Sequence, residues 1–129
     1  MEETNINIRQ AVEQDKNSIS IIANENSGEV GYVSYGEIMD GILRTEVLVA
    51  ELDSRVIGFL IFYTRKDKYL TLYSIATKKT YRRRNIGTLL IDRLISEAKK
   101  YKIKGIRIKC PADINANIFY QRKGFKKVG

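Results

Sequence analysis

At 129 residues, with 43% hydrophobic and 29% charged residues and a single proline, the chain is neither disordered nor of low complexity, and it has room for one domain, residues 1–129, with a core of two or three layers. It contains no histidine and one cysteine, Cys110, which removes the commonest zinc ligand, the commonest general base and any intramolecular disulfide, so no metal site is expected. The net charge of +8, from 23 Lys and Arg against 15 Asp and Glu, suits an anionic partner and gathers in Lys78–Arg84, Lys99–Lys109 and Arg122–Lys127, where most of the lysines read as a solvated face.

Asn5–Arg9, where Ile6 and Ile8 alternate with polar neighbours, predicts a short first strand. Within Asp15–Ala23 a helix is expected, with Ile19, Ile22 and Ala23 on one face, before a polar loop over Asn24–Gly31. Ser34 and Glu37 form a capping-box pattern ahead of Ile38, Met39, Ile42 and Leu43, predicting a second short helix. Glu46–Glu51, Val56–Thr64 and Tyr69–Thr77 are rich in β-branched, aromatic and leucine residues and are separated by turn signals, as in an antiparallel meander. Ile86–Tyr101 places Ile86, Leu89, Leu90, Leu94, Ile95, Ala98 and Tyr101 on one helical face, with Lys99 and Lys100 at the carbonyl end and Gly105 beyond as a stop signal. Ile106–Cys110 reads as a strand, followed by a helix around Ala116–Arg122 and a short strand from Phe125. No apolar run is long enough to span a bilayer and Met1-Glu2-Glu3 is unlike a secretory signal, which points to a cytoplasmic protein with no membrane partner.

The run from Ile75 to Leu90 carries the chemistry, because a strand end passes through a basic turn into a helix start. The first turn of a helix has N–H groups without an intrahelical acceptor and a partial positive charge, a ready anion site. Arg82, Arg83 and Arg84 add fixed positive charges and forked donors for phosphate oxygens, and Gly87 lets a bulky diphosphate approach the backbone.

Arg82-x-x-Asn85-x-Gly87 resembles the acyl-CoA-binding motif of the GNAT superfamily of N-acetyltransferases, which reads Arg or Gln, two residues, Gly, one residue, then Gly or Ala. Asn85 stands where the family usually has the first glycine, and Asn is the residue other than glycine that best tolerates left-handed backbone angles. A second segment, Asp113 to Phe125, is similar to the family's C-terminal signature, with Ala116, Tyr120, Gly124 and Phe125 in register and Asp113, Phe119 and Gln121 replacing the usual Asn, Leu and Glu.

The resemblance implies the α+β fold of that superfamily: α/β/α layers, with a mixed, mostly antiparallel sheet and helices on both faces. It implies acetyl-CoA as co-substrate, its pantetheine arm along Ile75, Ala76 and Thr77 and its diphosphate over Arg82, Arg83, Arg84, Asn85, Ile86, Gly87 and Thr88, with Asp113 joining the cofactor-binding set. The implied reaction is direct attack of an amine, from a small molecule or a protein, on the thioester, with Tyr120 protonating the departing thiolate. The strand positions where relatives carry a catalytic glutamate fall at Thr71 and Ile108, neither of them a base. Glu37, Glu46, Glu51 and Asp53 read as helix-cap partners or solvated strand ends, and Ser74 or Tyr73 is left to hold a relay water. An acceptor of low pKa, such as an N-terminal amine, needs the least help.

Relatives continue past the Gly-Phe pair with a final hairpin, whereas this sequence stops at Gly129, so the C-terminal hairpin is expected to be incomplete. The open strand edge then predicts self-association, as a homodimer, or low solubility, and a clean monomer in size-exclusion chromatography at high concentration would count against it. Two other readings stand beside the acetyltransferase: a degenerate domain that binds acyl-CoA without turnover, and a basic nucleic-acid-binding module using the arginines and eight tyrosines. The chain lacks the paired strand aromatics of an RNA-binding sheet, so nucleic acid is the less favoured partner.

Overall fold

The β-branched and aromatic runs build a five-stranded sheet whose spatial order equals its sequence order, β1 to β5, in a computed structural model that describes residues 6–26, 33–64, 66, 68–81, 85–100, 103 and 105–108. The strands are β1 (Asn7–Gln10), β2 (Val47–Leu52), β3 (Arg55–Thr64), β4 (Tyr69–Thr77) and β5 (Gly105–Ile108). The helices are α1 (Lys16–Glu25), α2 (Tyr35–Leu43) and α3 (Ile86–Lys100). Neighbours from β1 to β4 pair antiparallel, and β4 pairs parallel with β5 from Tyr69↔Gly105 to Leu72↔Ile108. Parallel pairing requires a crossover, and α3 lies on that connection.

The alternation of side chains along each strand divides the core in two. On one face Leu48, Leu60 and Leu72 meet Ile86, Leu90 and Leu94 of α3. On the other Val49, Phe59 and Ile61 meet Ile19 and Ile22 of α1 and Ile38 and Ile42 of α2. Each of these side chains, when fully buried, contributes about 1.5–3 kcal/mol of transfer free energy, so both faces need their helices and the layered α/β/α arrangement follows.

Local chemistry agrees with the elements. Ser34 Oγ accepts the Glu37 N–H and Glu37 Oε1 accepts the Ser34 N–H, both at 3.0 Å, closing the capping box that starts α2. Asp53 and Ser54 join β2 to β3 with φ of 51° and 65°, the pattern of a type I′ hairpin turn. Arg9 reaches both Asp15 oxygens at 2.8 and 3.1 Å and Glu51 at 3.2 Å, which ties β1 to the start of α1 and to β2. Burial alone would raise the Asp15 pKa, but the Arg9 guanidinium and the Val12 N–H hold it below its ordinary value.

Boundaries move by one or two residues from the sequence expectation, with one instructive exception. Gly105 is not a helix stop but the first residue of β5, opposite Tyr69. A Cβ there would lie 3.0 Å from the Tyr69 ring, so the glycine serves strand pairing rather than helix termination. The expected strand end at Cys110, the helix around Ala116–Arg122, the strand from Phe125 and the question of the incomplete hairpin lie outside the described residues.

Gly58 in β3 sits where α3 meets the sheet, and a Cβ there would meet Ile86 Cγ2 at 3.0 Å and the Ala76 carbonyl oxygen at 3.2 Å. Gly58→Ala is expected to destabilise the fold by about 1–3 kcal/mol, read as a lower urea midpoint at unchanged slope, because the backbone of β4 cannot yield as a side chain could.

Candidate functional site

Strand β4 and helix α3 bring the two halves of the sequence-predicted site together. Ile75, Ala76 and Thr77 close β4, and Gly87 sits so that a Cβ built on it would be 3.9 Å from Ile75 Cδ1. Among the described residues that is the nearest atom, at ordinary contact distance, so their packing does not require glycine there. The contrast with Gly58 is informative: one glycine is demanded from inside, the other leaves space at the mouth of a helix.

Asn85 precedes α3 with φ 63°, the left-handed conformation expected for a residue in the place of a glycine. Its carbonyl accepts the Leu89 N–H at 3.0 Å as the first helical bond, so the N–H groups of Ile86, Gly87 and Thr88 have no acceptor one turn back within α3. Ile86 is buried against the sheet, while Gly87 and Thr88 are half-buried. The end of β4 is pinned from the opposite face: Asn26, buried, donates to the Thr77 carbonyl at 3.2 Å and the Ile22 carbonyl at 2.8 Å, and Glu25 Oε1 accepts the Lys79 N–H at 3.0 Å.

A bulge shapes the middle of β4. Ile61 pairs with Ser74 and Phe62 with Leu72, leaving Tyr73 as the extra residue. Opposed residues share a face, so Ser74 lies on the α1/α2 side with Ile61, and Tyr73 packs against that cluster as well. Two consecutive side chains thus serve one face, which a regular strand does not allow. The Tyr73 hydroxyl donates to Glu37 Oε2 at 2.7 Å, and its ring stands 5.1 Å from that of Tyr63. The Ser34 N–H and then the Tyr73 hydroxyl hold the Glu37 carboxyl below its ordinary value, while the Glu37 carboxylate and burial push the phenol up to about 12. Ser74 Oγ is buried with no hydrogen-bond partner among the described residues.

Sequence reasoning placed Glu37 as a helix-cap partner and it is one, but its link to Tyr73 depends on a bulge that no local pattern announces. Glu51 pairs with Arg9 and Asp53 occupies a turn. Glu46 departs from the expected solvated strand end: Oε2 accepts the Thr64 N–H at 2.8 Å and Oε1 is buried. Thr71 is buried and pairs with Arg107. Arg82, Arg83, Arg84, Asp113 and Tyr120 lie outside the described residues, so the structure tests neither their placement nor their roles.

Because the folded Glu37 pKa is depressed, its stabilisation is complete above the ordinary value of 4.5 and is lost as pH falls through the lower folded value. Glu37→Gln is therefore expected to cost about 1 kcal/mol near neutral pH, and the gap from the parent chain should shrink in denaturation curves taken from pH 6 to about pH 3.

A family profile described as acetyltransferase (GNAT) domain matches residues 43–127. No curated protein matches the sequence. Among solved structures, the chain is similar to Ard1 from Thermoplasma volcanium, with 22% identity and a TM-score of 0.87 over 97% of this chain and 85% of that one. It is similar to the PaiA N-acetyltransferase of Thermoplasma acidophilum in complex with coenzyme A, with 23% identity and a TM-score of 0.81 over 94% and 89%. It is also similar to the ribosomal-protein-alanine N-acetyltransferase of Brucella melitensis, with 24% identity and a TM-score of 0.80 over 95% and 86%. At such identities these likenesses speak for the fold, and they agree with its mixed sheet flanked by helices. With the profile spanning both the β4 end and the α3 start, the chain belongs to the GNAT family of N-acetyltransferases.

Proposed function

We propose that the chain, as a single domain over residues 1–129, uses acetyl-CoA to acetylate an amine by direct attack. The observation that carries this reading is the convergence of the β4 end on a helix start whose glycine leaves its side-chain space unfilled by the described residues, with Ile75 Cδ1 3.9 Å away. When bound, acetyl-CoA supplies an acetyl group already activated as a thioester. Ile75, Ala76 and Thr77 would hold the pantetheine arm, and Arg82, Arg83, Arg84, Asn85, Ile86, Gly87 and Thr88 the diphosphate, with Asp113 in the same set. The coenzyme A complex of the similar PaiA structure supports this choice of ligand.

Tyr120 is the proposed donor to the departing thiolate. A phenol near pKa 10 is a weaker acid than a thiol near 8.5, so its help depends on position rather than acidity. The acceptor would stand on the α1/α2 side of the bulge, where Tyr73 and Glu37 form a hydrogen-bonded unit. Glu37 is ionised at neutral pH and so attracts an ammonium, but its lowered pKa makes it a poor final store for a proton. The site therefore suits an amine that is substantially neutral by itself. An α-amine of pKa near 7.8 is about 0.28 neutral at pH 7.4, against about one part in a thousand for a lysine, a difference of about three hundredfold. An N-terminal α-amine is accordingly the acceptor class we favour, in keeping with the name of the alanine N-acetyltransferase to which the fold is similar.

Gly87→Val should weaken acetyl-CoA binding at least tenfold in calorimetric titration while leaving the unfolding free energy within about 0.5 kcal/mol of the parent. Equal binding by the variant would remove the diphosphate site from this turn. Tyr120→Phe is expected to lower kcat far more than acetyl-CoA affinity; unchanged turnover would make Tyr120 a packing residue. Acetylation of a peptide α-amine should outpace that of a lysine side chain at pH 7, with the difference narrowing towards pH 9, and a lysine preference at both pH values would rule out the acceptor class.

A further inference from the structure

Several acidic side chains of this basic chain have a charged partner: Asp15 and Glu51 share Arg9, Glu13 has Lys16 and Glu97 has Arg93. Glu37 differs. Its two oxygens take the Ser34 N–H and the Tyr73 hydroxyl, donors without net charge, and among the described residues no lysine or arginine pairs with it. A carboxylate offers about four lone-pair sites, of which these bonds use two. Beside it the rings of Tyr63 and Tyr73 stand 5.1 Å apart at a tilt of 54°. Glu37, Tyr63 and Tyr73 are all half-buried rather than sealed. A ring face attracts a cation and also packs the methylene stem that carries one, so an ionised carboxylate next to two tyrosines favours a long basic side chain.

That cation should not be the nitrogen that is acetylated. An amine paired with an ionised carboxylate is held in its protonated form, and only the neutral form can attack. Raising an α-amine by one pKa unit lowers its neutral fraction at pH 7.4 from about 0.28 to about 0.04. Glu37, whose carboxyl is held below its ordinary value, would not take up the proton in exchange. The arrangement is productive when Glu37 holds a different, permanent charge of the acceptor and leaves the attacking amine free. Tyr73 precedes Ile75 by two residues, about 7 Å along β4, a span that a lysine or arginine side chain covers.

We propose that Glu37, with Tyr63 and Tyr73, selects acceptors that carry a basic side chain next to the α-amine, as in a peptide with lysine or arginine in second place: the cation rests on the Glu37 carboxylate and its stem on the two rings. The inference rests on the acetyl-transfer reading above and narrows its acceptor class. The net charge of +8 repels a cationic peptide at long range, so any preference for one must come from a local carboxylate.

The test compares two alanine-terminated peptides as acceptors for the full chain with acetyl-CoA, one with arginine in second place and one with citrulline, its uncharged isostere. The arginine peptide should be favoured about tenfold in kcat/KM, mostly through KM, as a half-exposed ion pair and a cation–π contact together allow. In Glu37→Gln the ratio should fall to within about twofold of unity. A ratio near unity in the parent, or a tenfold ratio kept by the folded variant, overturns this selection while leaving acetyl transfer standing. Binding is read separately by amide chemical shifts of the isotope-labelled chain titrated with the arginine peptide already acetylated at its α-amine, which carries the cation but cannot react. Saturable shifts centred on Glu37, Tyr63 and Tyr73 are expected, weaker with the citrulline counterpart; no saturable shifts, or shifts centred elsewhere, overturn the site. Turnover of neither peptide removes the acetyl-transfer reading instead, and the shift map then decides whether the cation site stands, as it does should Glu37→Gln fail to fold.

Discussion

The close approach of α3 to β3 at Gly58 is the contact on which the rest of the architecture depends. Without a Cβ at that position, Ile86 and Leu90 reach the strand backbone, and Ala76 of the neighbouring strand lies just as near. Because α3 lies on the connection between β4 and its parallel partner β5, the helix must run back along the sheet and its amino end must start where β4 finishes. Gly58 lets that amino end settle against the sheet. The anion-binding potential of the first turn is thereby set beside the strand end that would hold the remainder of an extended ligand.

The opposite face is shaped by a single additional residue. A bulge at Tyr73 breaks the alternation of β4, turning Tyr73 and Ser74 towards α1 and α2, whereas Leu72 and Ile75 serve the α3 side. Glu37 then has two duties. It closes the capping box that starts α2, and it receives the Tyr73 hydroxyl, so the helix start and the middle of the sheet are held by one carboxylate. A group used in this way is rigid and ionised, which suits it to attract and orient a cation more than to store a proton.

The two ends of α3 are chemically unlike, as its dipole requires. Its amino end carries a left-handed Asn85 and a glycine with open space, features suited to an anion. Its carboxyl end borders a cavity walled by Leu48, Phe62, Leu70 and Ile103. Between the two ends its middle turns, through Leu90 and Leu94, make the core.

Much of this was readable along the chain. Periodicity and capping residues located α1, α2 and α3, the alternating and apolar runs located the central strands, and the turn from Arg82 to Gly87 pointed to phosphate, because helix ends, turns and amphipathic faces are set by neighbours within a few residues. The left-handed angle at Asn85 belongs to the same class, since the residue itself tolerates it. Gly105 was misread as a helix stop because its reason for being glycine is the Tyr69 ring, which is distant in sequence. The same holds for the Tyr73–Glu37 bond, spanning 36 residues, and for the burial of Glu46 Oε1. The sequence by itself determined which of the described segments become helices and strands and marked one helix start as a candidate anion site. Only the tertiary structure decided which face Tyr73 serves, what Gly58 and Gly105 make room for and which carboxylate oxygen is buried, because these follow from strand register and helix docking, interactions between residues that meet only when the sheet is assembled.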